Sequence, residues 1–189
     1  MKNKFRKNEK GFALPLALLL LVVMTIMGIT LVSITSGDIR GNNERDNNQQ
    51  TFYAAESGIS VAKNWMVGNI SKFSASPPNN LDGQLRFCKA SFFPNLRSSN
   101  NGFHTDRKTL NQVISATGDE ANRLSKYSFE YFIAYAPDQN GNNSSGKKKP
   151  GTNNILYTIY SCGCDAAANS CNAQNNVIVP LEAVVTLVN

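Results

Sequence analysis

Histidine is almost absent from this chain of 189 residues: there is one, His104, and with it come no Gly-x-Ser-x-Gly, no His-Glu-x-x-His and no glycine-rich phosphate loop. Without those groupings, general-base, metal-hydrolytic and phosphoryl-transfer chemistry have no residues to run on. His104 stands between Phe103 and Thr105 and reads as a surface residue rather than a base. The 13 acidic side chains are scattered without metal-ligand spacing, so no catalytic residue, cofactor or resident metal is expected. The chain reads as a non-enzyme.

Charge is missing from one long stretch. From Phe12 to Ile34 no side chain is charged, and these 23 residues, at about 1.5 Å each, make a helix of roughly 34 Å, enough for a hydrocarbon core of about 30 Å. A cleaved secretory signal has a shorter apolar core, about 7 to 15 residues, closed by a small-x-small site. This run is longer and ends without such a site. A buried core helix is excluded because nothing else in the chain could wrap it, whereas a plain signal anchor satisfies the same physics. Five Lys or Arg and one Glu precede the run, and Asp38 is the first charge after it. That asymmetry predicts a single pass with the leader in the cytoplasm and the remainder outside.

Clustered positive charge is also scarce. The formal charge of +6 comes from 19 basic and 13 acidic residues, but residues 1–11 hold five of the basic and one of the acidic ones. The remainder is about +2 (14 basic against 12 acidic), which argues against a nucleic-acid face. Lys147, Lys148 and Lys149 form the one basic run outside the leader. They read first as a solvated, mobile loop tip and second as a candidate contact for DNA or another anionic surface. No aromatic residue shares that loop to stack on single strands.

Beyond the apolar run, Ser36 to Gln50 is polar and carries Gly37 and Gly41. Thr51 to Met66 places Phe52, Ala55, Ile59, Ala62 and Met66 at helical spacing. Joined together, residues 12–66 predict one helix of roughly 55 residues and about 82 Å. Residues 67–126 hold two polar loops, a short strand or irregular stretch around Leu85 to Lys89, and a short helix from Thr105 to Ala116 capped by Thr105. Lys126 to Ala136 alternates as a strand with one largely buried face, followed by a long polar loop from Pro137 to Gly151. Leu156 to Cys164 and Val177 to Val188 complete an antiparallel meander. A helix followed by a sheet that covers one of its faces is an α+β arrangement.

Four cysteines, Cys88, Cys162, Cys164 and Cys171, all follow the apolar run. On the exported side of a membrane they predict two disulfides. Cys162 and Cys164 project to the same strand face, which disfavours a bridge between them. The preferred pairing is Cys164 with Cys171 and Cys88 with Cys162, and the exchanged pairing stays open. A zinc site is disfavoured by the Cys-x-Cys spacing and the lack of a nearby His. The Asn-x-Ser triplets at Asn69, Asn142 and Asn143 carry no weight in a bacterial type of export.

The junction Lys10-Gly11-Phe12-Ala13-Leu14-Pro15-Leu16, a basic leader ending in Gly before Phe and a long apolar helix, resembles the class III signal of type IV prepilins. The resemblance implies cleavage between Gly11 and Phe12 by a prepilin peptidase and N-methylation of Phe12. Glycine leaves the backbone unobstructed at such a site, and Pro15 is tolerated in a first helical turn. Most pilins carry Glu at the fifth position after the cut; here that position is Leu16. Its absence resembles the subunits of the filament tip, namely the PilX minor pilins and the K pseudopilins of type II secretion. Gln50-Thr51-Phe52-Tyr53-Ala54-Ala55-Glu56-Ser57-Gly58 resembles the PilX helix segment with its Ala-Ala-Glu-x-Gly pattern, and Val177 to Val185 echoes the family's closing strand.

The resemblance implies a type IV pilin-like α+β fold. Its parts would be a leader (1–11), a transmembrane segment (12–34), a periplasmic continuation of the helix (35–66) and a globular head (67–189). The implied function is that of a minor pilin that helps initiate pilus assembly at or near the tip, supporting adhesion, twitching motility or DNA uptake; the alternative is a tip pseudopilin of a type II secretion system. Implied partners are other minor pilins, the major pilin, the prepilin peptidase and a large PilY-type tip adhesin, with DNA the weaker expectation. The implied location is the inner membrane, N-terminus cytoplasmic and head periplasmic, and then the extracellular pilus tip.

Overall fold

A computed structural model describes residues 13–74, 80–81, 83–97 and 101–187. Contacts divide the chain into two units, residues 1–45 and 46–189. Helix α1 runs from Ala13 to Gly68, so the apolar and polar stretches form one element. In its apolar part the side chains from Leu14 to Ile34 are exposed. Its threonine hydroxyls, and that of Thr35 just beyond, are satisfied within the helix: Thr25 donates to the Val22 carbonyl at 2.8 Å, Thr30 to that of Met27 at 2.8 Å and Thr35 to that of Leu31 at 2.9 Å. Such back-bonding lets a hydroxyl sit on a helix in an apolar medium without an unpaired polar group.

The second unit is built on a five-stranded antiparallel sheet. Its strands are β1 (Gly102–Thr109), β2 (Ser128–Tyr135), β3 (Lys147–Lys148), β4 (Ile155–Cys164) and β5 (Ile178–Thr186). β2 lies between β1 and β4, and β5 pairs with β4. Thr105 sits in β1 opposite Phe132, so the expected helix from Thr105 is corrected: only Leu110–Ile114 (α2) is helical. Pairing with β2 wins over local helical spacing because it satisfies the backbone of the whole 102–109 segment. The start of α2 is Thr109, whose N–H donates to the Gln112 side chain at 3.2 Å. A second short helix, α3 (Gly118–Leu124), carries Asp119 and Glu120 in its first turn and Arg123 in its last, the order that suits the helix dipole.

Two cores flank the sheet. On one face the end of α1 (Ala54, Ala62, Met66) packs with Phe129, Tyr131, Ile133, Tyr157 and Ile159. On the other, Leu81, Phe87, Phe93 and Leu96 cover Phe132, Ala134 and Tyr160. β2 is therefore buried along its whole length, not on one face as its alternation suggests. The reason is Glu130. It is 1 % exposed on the supposed polar face, and its carboxylate accepts the backbone N–H groups of Arg86 (2.9 Å), Phe87 (2.8 Å) and Cys88 (2.8 Å), with Arg107 Nη1 at 3.1 Å. The polar letters of β2 mark an internal anchor rather than solvent.

α1 meets β4 through small residues. Its buried positions are Thr51, Ala54, Ala55, Gly58, Ala62 and Met66, whereas Phe52, expected on that face, is 39 % exposed. Ser161 Oγ donates to the Ala55 carbonyl at 2.8 Å. At Gly163 a Cβ would run into the Thr51 carbonyl oxygen and lie 2.8 Å from the Ala55 amide nitrogen. Both are main-chain atoms of a packed helix and cannot swing away. We expect Gly163→Ala to destabilise the chain by about 2 kcal/mol or more, a severe case of overpacking, while Gly68→Ala, where a Cβ meets nothing within 4 Å, stays neutral or stabilises. Urea unfolding of the full chain in detergent, followed by near-UV circular dichroism, measures both; equal midpoints would reject the close-approach account.

Candidate functional site

The residues singled out in the sequence fall into three groups. Gly11 and Phe12 lie outside the described residues. Leu16 stands on the exposed apolar surface of α1, 53 % accessible among Leu14, Leu18, Leu19 and Leu20. A Leu here asks for no partner, whereas an acidic side chain costs about 2.5–3.5 kcal/mol at the centre of a bilayer and is kept there only when paired.

The cysteines make the second group. The structure joins Cys88 to Cys162 across 74 residues and Cys164 to Cys171 across 7. Chain-entropy arguments give about 4.4 and about 2.4 kcal/mol for loops of those sizes. Cys162 lies opposite Glu130 in the β2–β4 register, so the first bridge and the Glu130 carboxylate fasten the same segment, residues 86–88, to the sheet. The second closes the turn before β5. No free thiol is present, and among the described residues no group of three or more His, Cys, Asp or Glu is placed to hold a metal.

The lysines make the third. Lys147 and Lys148 form β3, paired with Leu156 and Ile155 of β4, and the Lys149 N–H donates to the Asn154 carbonyl at 2.8 Å. The run is therefore the arm of a tight hairpin rather than a mobile tip. Lys148 and Lys149 point to solvent, and Lys147 is half-buried.

His104 departs from its expected surface position. It is only partly exposed and stacks on Trp65 with ring centroids 3.9 Å apart and planes within 4°. Tyr131 lies 5.9 Å away, and Lys72 Nζ sits 5.2 Å over the Trp65 ring. Burial pushes the imidazole below its ordinary value of 6.5; Asp106 opposes the shift, and Lys72 and Lys108 add to it. No spacing in the sequence signals this cluster, because Trp65 and His104 belong to different elements.

With the folded-state value lowered, the native protein binds fewer protons than the unfolded chain below pH 6.5, so stability present above that pH is lost as pH falls through the folded value. The urea midpoint should drop between pH 7.5 and 5.5, and His104→Phe should flatten the drop. An unchanged slope in the variant would reject a role for His104.

Within the second unit, α1 exposes Phe52 and Tyr53, an edge-on aromatic pair with centroids 6.2 Å apart, and Glu56 of the Ala-Ala-Glu-Ser-Gly motif is exposed as well. The motif's small residues face β4, and its large ones face away. Such a helix can anchor in a bilayer and offer an aromatic, carboxylate-bearing surface to a neighbouring protein.

Residues 10–60 match a protein family described as PilX N-terminal. No curated protein and no solved structure matches the chain. The matched segment covers the junction, the apolar run and the Ala-Ala-Glu-Ser-Gly motif, and it ends where α1 has docked on the sheet. That match covers 51 of the 189 residues and, on a long apolar N-terminal helix followed by an antiparallel sheet, supports a type IV pilin-like α+β layout with a PilX-like N-terminal segment.

Proposed function

We propose that this protein is a minor pilin that helps to start a type IV pilus and sits at or next to its tip. The observation that carries this is Leu16. In pilins generally, the acidic side chain at this position reaches the N-terminal amine of the subunit ahead, nearer the tip. A subunit with Leu there has no such bond to offer upward. It can still accept one, because the amine of Phe12, freed by cleavage after Gly11, remains available to the Glu of the next subunit below. The chain is then suited to the top of a small initiating complex, in low copy number, with other minor pilins or a large PilY-type adhesin above and the major pilin below.

Before assembly the exposed apolar surface of α1 would hold the chain in the inner membrane, leader inside and head in the periplasm, where the two disulfides form. On assembly that surface would exchange lipid for neighbouring helices, and Phe52 and Tyr53 would serve as further contacts. The role is structural; adhesion, motility or DNA uptake would follow from the filament. The same reasoning from Leu16 fits the tip pseudopilin of a type II secretion system, and the host machine decides between the two.

Mass spectrometry of the protein from its host should find a mature N-terminus at Phe12 carrying a methyl group, with Gly11→Ala impairing processing; residues 1–11 retained in cells with active peptidase would sink the prepilin reading. Gold labelling of the head on sheared filaments should mark one end. Label spaced along the shaft would refute tip placement while leaving the pilin assignment intact.

A further inference from the structure

The cysteines could have been joined differently, and the unfolded chain has little to say in the choice. The observed bridges, Cys88 to Cys162 and Cys164 to Cys171, close loops of 74 and 7 residues. The exchanged set, Cys88 to Cys164 and Cys162 to Cys171, would close loops of 76 and 9. Loop-closure statistics favour the observed set by only about 1.5-fold. We infer that Glu130 is the selector: its carboxylate places Cys88 over Cys162 while the thiols are still reduced, and the bridge records that placement.

Cys88 is held by its main chain as well as by its sulfur. Its N–H donates to Glu130 Oε2 at 2.8 Å, as does that of Phe87 at 2.8 Å, and the Arg86 N–H reaches the two carboxylate oxygens at 2.9 and 3.0 Å. None of these bonds uses a sulfur, and the β2–β4 ladder that carries Glu130 and Cys162 is built from main-chain hydrogen bonds. The whole arrangement is therefore available before oxidation. Glu130 stands opposite Cys162 in that ladder, and the Cα atoms of Cys88 and Cys162 are 5.4 Å apart, within the span that a disulfide requires.

Nothing comparable exists at the level of Cys164. The residue opposite it is Ser128, whose hydroxyl already donates to the Ala166 carbonyl at 2.6 Å. Cys164 lies two residues along β4 from Cys162, a step of about 6.6 Å at the usual strand rise. For Cys88 to stand over Cys164 as it stands over Cys162, its segment would have to move by that step. Hydrogen bonds weaken well before then, beyond about 3.2 Å, so all three N–H groups would leave the carboxylate. Glu130 would stay buried with Arg107 as its remaining partner, and stripping donors from a buried charge is strongly unfavourable.

The oxidation itself needs an external disulfide. One thiolate of the Cys88 and Cys162 pair attacks a sulfur of that oxidant and expels its other half as a thiol; the second thiolate then attacks the protein sulfur of the mixed disulfide and expels the rest. Two protein thiols become one disulfide, and the oxidant departs as two thiols carrying the two electrons and two protons. Glu130 exchanges nothing in these steps and is a positioning residue: it decides which thiol stands beside Cys88 when the mixed disulfide resolves.

A three-cysteine competition reads the selection. The full chain with Cys171→Ser is refolded from urea in detergent with oxidised and reduced glutathione, the remaining free thiol is alkylated, and tandem mass spectrometry locates the label. With Glu130 present, the label should fall on Cys164 at least about ten times as often as on Cys162 or Cys88, as hydrogen bonds to a charged acceptor allow. Glu130→Gln should bring Cys164 and Cys162 to within about twofold of the even split that loops of 74 and 76 residues give. Loss of stability alone could scramble the label, so Met66→Ala is the control. It leaves a cavity in the core on the opposite face of the sheet and spares the carboxylate and its donors. Refolded in urea that matches its folded fraction, by near-UV circular dichroism, to that of Glu130→Gln, it should keep the label on Cys164. In the reduced chain with all four cysteines, the Phe87 and Cys88 amides should already exchange hydrogen at least about tenfold more slowly than in the urea-unfolded chain. Label still concentrated on Cys164 in Glu130→Gln, an even split in the matched Met66→Ala chain, label elsewhere than Cys164 with Glu130 present, or unprotected amides before oxidation would each overturn the selector role.

Discussion

The head depends on one buried carboxylate. Removing Glu130 from water costs several kcal/mol, and such a charge persists only where hydrogen bonds and an opposite charge compensate it. Three consecutive backbone N–H groups, those of Arg86, Phe87 and Cys88, do so together with Arg107 from the neighbouring strand. The same bonds answer a second need. Residues 83–97 have little regular structure, and the N–H groups of Phe87 and Cys88 would otherwise be buried without partners. One side chain thus pins an irregular segment to the second face of the sheet, turns β2 into a fully internal strand and holds Cys88 next to Cys162. The disulfide then fastens in the unfolded chain what the carboxylate specifies in the folded one.

A different constraint governs the first face. α1 approaches β4 so closely that the positions between them are Ala54, Ala55, Gly58 and Gly163, and a β4 hydroxyl reaches the helix backbone. This gives a physical reason for the Ala-Ala-Glu-x-Gly pattern: the two alanines and the glycine are small because a sheet lies against them, and the glutamate sits on the opposite side. The family match ends just past this contact, at residue 60. The matched segment therefore holds an apolar helix long enough to cross a membrane and the stretch that docks on the sheet. The head's second face, with its carboxylate anchor and its disulfides, lies outside the matched segment.

These two arrangements have different chemical consequences. From Leu14 to Ile34 the surface of α1 is largely apolar and without charge, which suits packing among helices or lipids. Over β4 and β5 it is mixed, with Lys147, Glu182 and Val184 side by side. The His104–Trp65 stack belongs to neither surface; it closes the core near the end of α1, where burial keeps the imidazole neutral.

The sequence by itself determined the parts whose cause is local or periodic. An uncharged run longer than a bilayer is thick points to a helix, and the helical spacing of Phe52, Ala55, Ile59, Ala62 and Met66 carried that helix onward. The alternation in 126–136 and 156–164 specified strands, because side chains on a strand alternate faces whatever surrounds them. Where the cause was a distant partner, the tertiary structure decided. Thr105 joined a strand because β2 offered its backbone hydrogen bonds, Phe52 turned outward because only Ala and Gly fit against β4, and the lysine run was held by Leu156 and Ile155. Glu130 went inward because a segment forty residues earlier supplied its donors. A sequence records the residue that needs a partner, but the partner is chosen only when the chain has closed around it, since burial and hydrogen-bond geometry are properties of the folded neighbourhood and not of the residue.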